Sequence, residues 1–505
     1  MLAPANDTDS DLARLIFSGL LKYDNQGNLI PDLAESYTVD QSGKVYEFHL
    51  RKNAFWHDGQ QVNADDVIFN FQIIQNNSYK SIIPFLWANW QGVEVEKVDD
   101  FTVRFTLKNP YAAFPHNLTF GLLPKHVWQN VPAANFSLYE ANKKPIGSGP
   151  YVFQKMESTS DGTITSIQLQ ASKNYYLGGP YIKNLTFKFY YPDGEEKAIS
   201  ALQKKEIQGI NYISYGNYSR VQNSIKNKPD ILHLQMPRYF ALFMNQIQNK
   251  ALADKNVRVA LAQAINKQKI ISEALAGFGR KVDSPLLPGM LGYTDQVKTY
   301  NFDIEQAKQT LTAAGWVDSN GDGVREKDGQ ALEISILTLP WEELEKTTNI
   351  IKEDLAAVGI KINIQTEDVA SIKEDIKNRN YQILLFGELL NLDPDPFSFW
   401  HSSQIKDPGQ NISLYSNPQV DAILQNARQD LNPDSRAKKY QQFSQIICED
   451  LPAIFLYSPD YLYVLPPDIK GVDIANPDSV LIMISDRFSQ IERWFISTKR
   501  VWKRN

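Results

Sequence analysis

The sequence predicts an α/β fold built as more than one domain, and three observations carry that prediction. The chain has 505 residues, more than a single hydrophobic core organises. Residues 332–387 alternate between strand-like and helix-like periodicity in the order β-α-β-α-β, the pattern of an α/β layer. A hydrophobic fraction of 43% beside a charged fraction of 22% is that of a globular chain, and no apolar run approaches a membrane-spanning length.

Taken in order, the first third reads as strands and turns with occasional helices. Residues 44–51 alternate, with Tyr46, Phe48 and Leu50 on one face and Glu47, His49 and Arg51 on the other, as a half-buried strand does. A helix follows. Asn63 suits its N-cap, Asp65 and Asp66 place negative charge in the first turn, and Val67, Phe71 and Ile74 recur on one face. The run Lys143-Lys144-Pro145-Ile146-Gly147-Ser148-Gly149-Pro150 gives way to an aromatic strand at Tyr151 and reads as a domain crossing. A phosphate cradle needs a helix N-terminus behind its glycines, and here a strand follows.

Within the α/β run, residues 332–339 are strand-like and 342–358 helical, with Leu344, Ile351, Leu355 and Val358 on one face and Gly359 as the C-cap. Ile360, Ile362 and Ile364 alternate as the next strand, 371–378 is a short helix, and 381–386 an apolar strand.

Composition excludes several classes of function. A formal net charge of -6 with scattered Lys and Arg leaves no basic stripe for tracking phosphates, so nucleic acid is not a partner. Cys448 is the one cysteine, and its setting in Ile446-Ile447-Cys448 is that of a buried helical position. The six histidines, His49, His57, His116, His126, His233 and His401, include no pair at metal-ligand spacing. No Gly-x-Ser-x-Gly elbow and no Cys/His arrangement supports nucleophilic catalysis, so no catalytic residue is assigned. Paired acids for glycoside hydrolysis stay open, because their separation is not legible in a sequence. Trp56, Trp87, Trp90 and Trp316 read as structural.

Two segments could carry chemistry. In open α/β sheets, ligands bind outside the carboxyl ends of strands. The strand ending at Phe386 runs into a loop from Gly387 to His401 that combines Asp393 and Asp395 with Pro394 and Pro396 and the aromatics Phe397, Phe399 and Trp400. A carboxylate on a stiff loop can pair with an ammonium group; turn formation before proline is the bland alternative. The second segment is Asp318-Ser319-Asn320-Gly321-Asp322-Gly323, which matches the first half of a calcium loop and makes Asp318, Asn320 and Asp322 the candidate ligands. Its twelfth position is Gly329 rather than a bidentate glutamate, so an Asp-Gly hairpin turn explains it as well, and no other cofactor is called for.

Several stretches, in order and across nearly the whole chain, resemble extracytoplasmic solute-binding proteins of family 5, the group of oligopeptide, dipeptide, nickel and haem binders. The densest block is Pro31-Asp32-Leu33-Ala34-Glu35-Ser36-Tyr37, then Tyr46-Glu47-Phe48-His49-Leu50-Arg51-Lys52, Trp56-His57-Asp58-Gly59 and Asn63-Ala64-Asp65-Asp66-Val67. It continues in Leu123-Pro124-Lys125-His126, Gly147-Ser148-Gly149-Pro150-Tyr151, Asn174-Tyr175-Tyr176, Gly179-Pro180-Tyr181, Asn256-Val257-Arg258-Val259-Ala260-Leu261, Ala264-Ile265-Asn266 and Ala313-Ala314-Gly315-Trp316.

The resemblance implies a two-lobed periplasmic-binding-protein-like fold of the cluster C type with an additional inserted domain. Residues 1–35, 147–237 and 459–505 would form the first lobe, 36–146 the insertion and 238–458 the second lobe. It implies a monomeric, non-enzymatic component of an ABC transporter that closes on a peptide in the cleft by hinge motion and delivers it to membrane permease subunits served by cytoplasmic ATPases. Nickel, haem or an oligosaccharide on the same scaffold, a peptide-sensing receptor and a peptide or glycan hydrolase are the alternatives.

For the site, the resemblance implies main-chain pairing along Glu388, Leu389, Leu390 and Asn391, with Asp393 or Asp395 holding the ligand's amino end. The usual spacing puts that acid three residues before the Asp-Pro aspartate, where this sequence has Leu392. Ser18 falls where many relatives carry a cleft-facing glutamate, Tyr239 and Phe240 at the crossing into the second lobe, and Trp400 beside the loop. The Met1-Leu2-Ala3-Pro4-Ala5-Asn6-Asp7 start lacks the pattern of a secretory signal, which beside the resemblance implies an extracytoplasmic protein whose anchoring segment precedes this sequence.

Overall fold

In the computed structural model, residues 6–80, 83, 87, 90–224, 230–466, 468–475 and 480–497 are described. The first five residues, and with them most of the start read above for export, lie outside the described residues. The chain divides into two compact units: residues 1–235 with 461–505, and residues 236–460.

The first unit opens with helix α1 (Asp7–Ile16), N-capped by the Asn6 side chain, which accepts from the Asp9 backbone N–H. Short strands β1 (Leu21–Tyr23) and β2 (Leu29–Pro31) form a hairpin, and β3 (Ala34–Val39) and β4 (Val45–Leu50) enter a four-stranded antiparallel sheet. Alternation decides the faces of β4: Tyr46, Phe48 and Leu50 are at most 2% exposed while Glu47 and His49 are half-buried. Helix α2 (Ala64–Gln75) starts as its sequence predicts. The Asn63 side chain accepts from Asp65 N–H, and the Asp66 carboxylate accepts in return from Asn63 N–H, a capping box. Asp66 also accepts from the Trp56 indole and from Lys125 N–H, so this acid fastens three segments together.

Strands β5 (Glu94–Asp99) and β6 (Thr102–Thr106) complete the sheet in the order β3-β4-β6-β5. Its apolar face meets α2 through rings: Phe71 lies 4.2 Å from Trp90 and 4.9 Å from Phe105, and Phe48 packs edge-on to Phe105 at 5.5 Å. Strands β7 (Tyr151–Ser158), β8 (Ile164–Ala171) and β9 (Asn184–Lys188) form a separate antiparallel sheet. The glycines before β7 are there for close approach. A Cβ on Gly147 would stand 1.9 Å from the Ile16 carbonyl oxygen, and Gly149 N–H donates to that same oxygen at 2.8 Å. Strand β10 (Asp230–Leu234) pairs antiparallel with Tyr461–Leu465.

The second unit is built on one six-stranded mixed sheet. Its strands are β11 (Arg238–Met244), β12 (Gly279–Lys281), β15 (Glu333–Thr338), β16 (Lys361–Thr366), β17 (Ile383–Leu389) and β18 (Ala453–Pro459). A two-residue hairpin, β13 (Glu326–Lys327) and β14 (Gln330–Ala331), precedes β15. The order is β12-β18-β11-β17-β15-β16, with β15 parallel to both β16 and β17 and the other pairs antiparallel. Helix α3 (Lys255–Ala264) carries Arg258, whose guanidinium caps the carbonyls of Leu252, Ala253, Asp450 and Leu451.

Helices α4 (Glu342–Ala356) and α5 (Val369–Asn378) connect the parallel strands, and α6 (Pro418–Gln429) and α7 (Pro433–Asp450) follow. The β-α-β-α-β reading of 332–387 holds, with Gly359 just past α4 at φ +83°. Cys448 sits in α7 at 3% exposure, as its neighbours predicted. Among the described residues no helix is long and apolar enough to cross a membrane.

Candidate functional site

Strand β17 starts two residues later than the sequence reading and ends three residues later. Gly387, Glu388 and Leu389, placed there in a loop, continue the strand and pair with Phe240, Tyr239 and Arg238 of β11. Two local facts hold them. Gly387 leaves room for the Phe240 ring, whose carbons lie 3.1–3.2 Å from where a Cβ would stand. Glu388 Oε2 accepts from the Tyr239 hydroxyl at 2.5 Å.

The pairing of β17 is uneven along its length. β11 accompanies it from Ile383 to Leu389, whereas β15 pairs with it only at Ile383 and Leu384. Beyond Leu384, β11 is the only strand neighbour of β17 among the described residues. The carboxyl end of a central strand therefore offers one edge to an incoming extended chain.

Around that edge the expected site residues divide sharply. Phe240 stacks on Tyr457 at 5.4 Å and is 5% exposed, and Leu389 at 37% is the exposed member of the strand end. Leu390 is buried and closes the strand by donating its N–H to the Pro237 carbonyl, and Asn391 is half-buried. Tyr239 and Trp400 correct the expectation of ligand contact. Tyr239 has no exposed surface and packs edge-on to Phe455, while Trp400 is 1% exposed among Phe243, Phe443 and Phe455. Both are core residues of the second unit, placed there by large apolar area.

Asp393 and Asp395, the acids expected to hold the ligand's amino end, are each paired with an arginine, and Asp393 Oδ1 is buried without a partner among the described residues. Asp393 Oδ2 accepts from Arg436 at 2.5 Å, and Asp395 accepts from Arg428 Nε at 3.0 Å with both oxygens. Arg428 in turn lies 4.1 Å over the Phe397 ring. Each acid thus serves to fasten its loop to α6 and α7. Burial pushes the Asp393 carboxyl above its usual range against the pull of Arg436. Glu388 goes further: removed from water, it is raised to about 8, with the Tyr239 hydrogen bond opposing the shift, and its Oε1 has no partner among the described residues.

Ser18 belongs to the first unit and is buried at 2%, with its hydroxyl 3.5 Å from the Ser148 carbonyl oxygen, so it packs against the Gly147–Gly149 turn instead of facing a ligand. In the candidate calcium loop the side-chain oxygens serve the backbone. Asp318 accepts from Gly321 and Gly323 N–H, Asn320 from Asp322, and Asp322 from Val324, as in an Asx-rich turn. No group of three or more His, Cys, Asp and Glu is arranged to hold a metal ion among the described residues.

Sequence reasoning missed three arginines. Arg428 and Arg436 reach their acids across 33 and 43 residues of chain, a separation with no local signature. Arg238 had a signal: it is the one charged residue in the strand Arg-Tyr-Phe-Ala-Leu-Phe-Met.

Comparison with known proteins identifies the family and the fold. The family model described as bacterial extracellular solute-binding proteins, family 5 Middle, matches residues 28–410. The oligopeptide-binding protein AppA of Bacillus subtilis is 31% identical over 480 residues, which cover 93% of this chain and 86% of that protein. The solved structure of AppA in complex with a nonapeptide superposes with a TM-score of 0.80 at 28% identity, covering 98% of this chain and 96% of the other. NikZ from Campylobacter jejuni, solved in complex with Ni(L-His), gives the same TM-score of 0.80 at 28% identity and the same coverage of 98% and 96%. The expected α/β binding-protein fold is the fold of these structures.

Proposed function

The chain belongs to the bacterial extracellular solute-binding proteins of family 5, and from that premise we propose that it captures peptides for an ABC importer. The observation that carries this reading is the open edge of β17 from Phe386 to Leu389, beside β11 and past the Leu385 carbonyl that accepts from the Thr338 hydroxyl. A peptide laid along that edge contributes backbone donors and acceptors whatever its side chains are, which gives affinity with broad tolerance of sequence. Support comes from the relative named for oligopeptide binding and from its complex with a nonapeptide.

On this reading no covalent bond is made or broken. The loaded protein, a monomer working outside the cytoplasm and held near the membrane, passes its ligand to permease subunits driven by cytoplasmic ATPases. Residues 36–146, which include β4, β5, β6 and all of β3 but its first two residues, form an inserted lobe of the first unit.

Native mass spectrometry of the purified protein, followed by denaturation and sequencing of whatever it releases, tests the proposal. A set of peptides that rebind intact in calorimetric titration is the expected result. Release of a non-peptide solute, or cleavage of the added peptides, would replace this reading.

A further inference from the structure

Three acids lie in or just beyond β17, and each has a partner of its own, although Asp393 Oδ1 is buried without one among the described residues. Asp393 and Asp395 are paired to Arg436 and Arg428, and Glu388 is enclosed with Tyr239. Arg238 begins β11 and pairs with Leu389 on the side of β17 that β11 occupies, one strand in from the open edge. By strand alternation it shares a face with Phe240, and its guanidinium carbon lies 5.6 Å from the centroid of that ring.

The Phe240 ring lies against Gly387 on one side and stacks on Tyr457 on the other, so the guanidinium stands by a fixed aromatic ring beside the carboxyl end of β17. Arg238 is half-buried, its Nε is buried without a hydrogen-bond partner, and it forms no ion pair among the described residues. Burying a guanidinium N–H unpaired is costly, whereas Nε together with one terminal nitrogen presents the parallel fork that a carboxylate accepts.

We propose that Arg238 receives a carboxylate of the bound peptide, either its C-terminal carboxylate or an acidic side chain, so that the group recognised at this end of β17 is an anion. This rests on the peptide reading above. It assigns Arg238 as a determinant of specificity, since backbone pairing along β17 is indifferent to charge.

Calorimetric titration of wild-type protein, R238K and R238Q tests it with four peptides of one mixed aliphatic and aromatic sequence. The first has a free C-terminal carboxylate and no acidic side chain, and the second is its C-terminal amide. The third is an amide with a single Glu, and the fourth has Gln in its place. Wild-type protein is expected to prefer one carboxylate form over its neutral counterpart by about ten- to a hundredfold. R238Q should abolish that preference and R238K should retain part of it. A preference between the first pair assigns the chain terminus, and one between the second pair assigns a side chain. If neutralising the carboxylate leaves wild-type affinity unchanged, or if R238Q weakens all four peptides alike, the proposal is overturned while peptide binding stands. If none of the four binds wild-type protein, the peptide reading has failed and takes this inference with it.

Discussion

Glu388 is a carboxyl group that folding has taken out of water, and its titration leaves a mark on stability. Its folded-state value of about 8 lies above the ordinary 4.5, so the folded chain holds the proton more tightly than the unfolded chain does. Below about pH 4.5 both states are protonated and the contribution is fully present. As pH rises toward about 8 the unfolded chain loses its proton first, and the contribution is lost. Denaturant unfolding measured across this range should show stability falling with pH in wild-type protein, and E388Q should flatten the fall. Asp393 behaves differently, because its partner Arg436 is only 7% exposed. D393A leaves that guanidinium buried without its carboxylate and should cost about 3 kcal/mol in the same measurement. Because both loop acids are already engaged by arginines, acetylating a peptide's amino end should change its affinity less than tenfold in calorimetry.

At the scale of elements, sequence logic and structure agree where one local cause dominates. The capping box of α2 and the alternation of β4 were readable because each depends on neighbours within a few residues. The β-α-β-α-β run was readable because its periodicity extends over five elements. The end of β17 was not. Gly387 and Glu388 look like the start of a loop, and they stay in the strand because Phe240 and Tyr239, some 150 positions away, hold them there. The same distance problem hid the ion pairs of Asp393 and Asp395 and made Trp400 look available when it is core. Gly387→Ala tests this account of β17. The new methyl group would crowd the Phe240 ring, so the variant should lose about 1 kcal/mol of stability despite the gain in backbone rigidity, and urea unfolding checks it.

For the whole molecule, the second unit is one uninterrupted stretch, residues 236–460, and all six strands of its sheet lie inside it. It therefore carries a complete hydrophobic core, and a fragment of these residues should fold without the rest of the chain. Cooperative thermal unfolding followed by circular dichroism is the expected outcome, and a broad, uncooperative loss of signal would contradict it. The first unit depends on two distant parts of the chain, as the pairing of β10 with Tyr461–Leu465 illustrates. In β11 and β18 the second unit has antiparallel neighbours as its first and last strands, with Phe240 opposite Tyr457, so the polypeptide enters and leaves it at adjacent points. Two seams that close together make the stretch an exchangeable cassette. Recombination between related genes could transplant it whole and give a lineage a new diet while the remainder of the gene stays as it was.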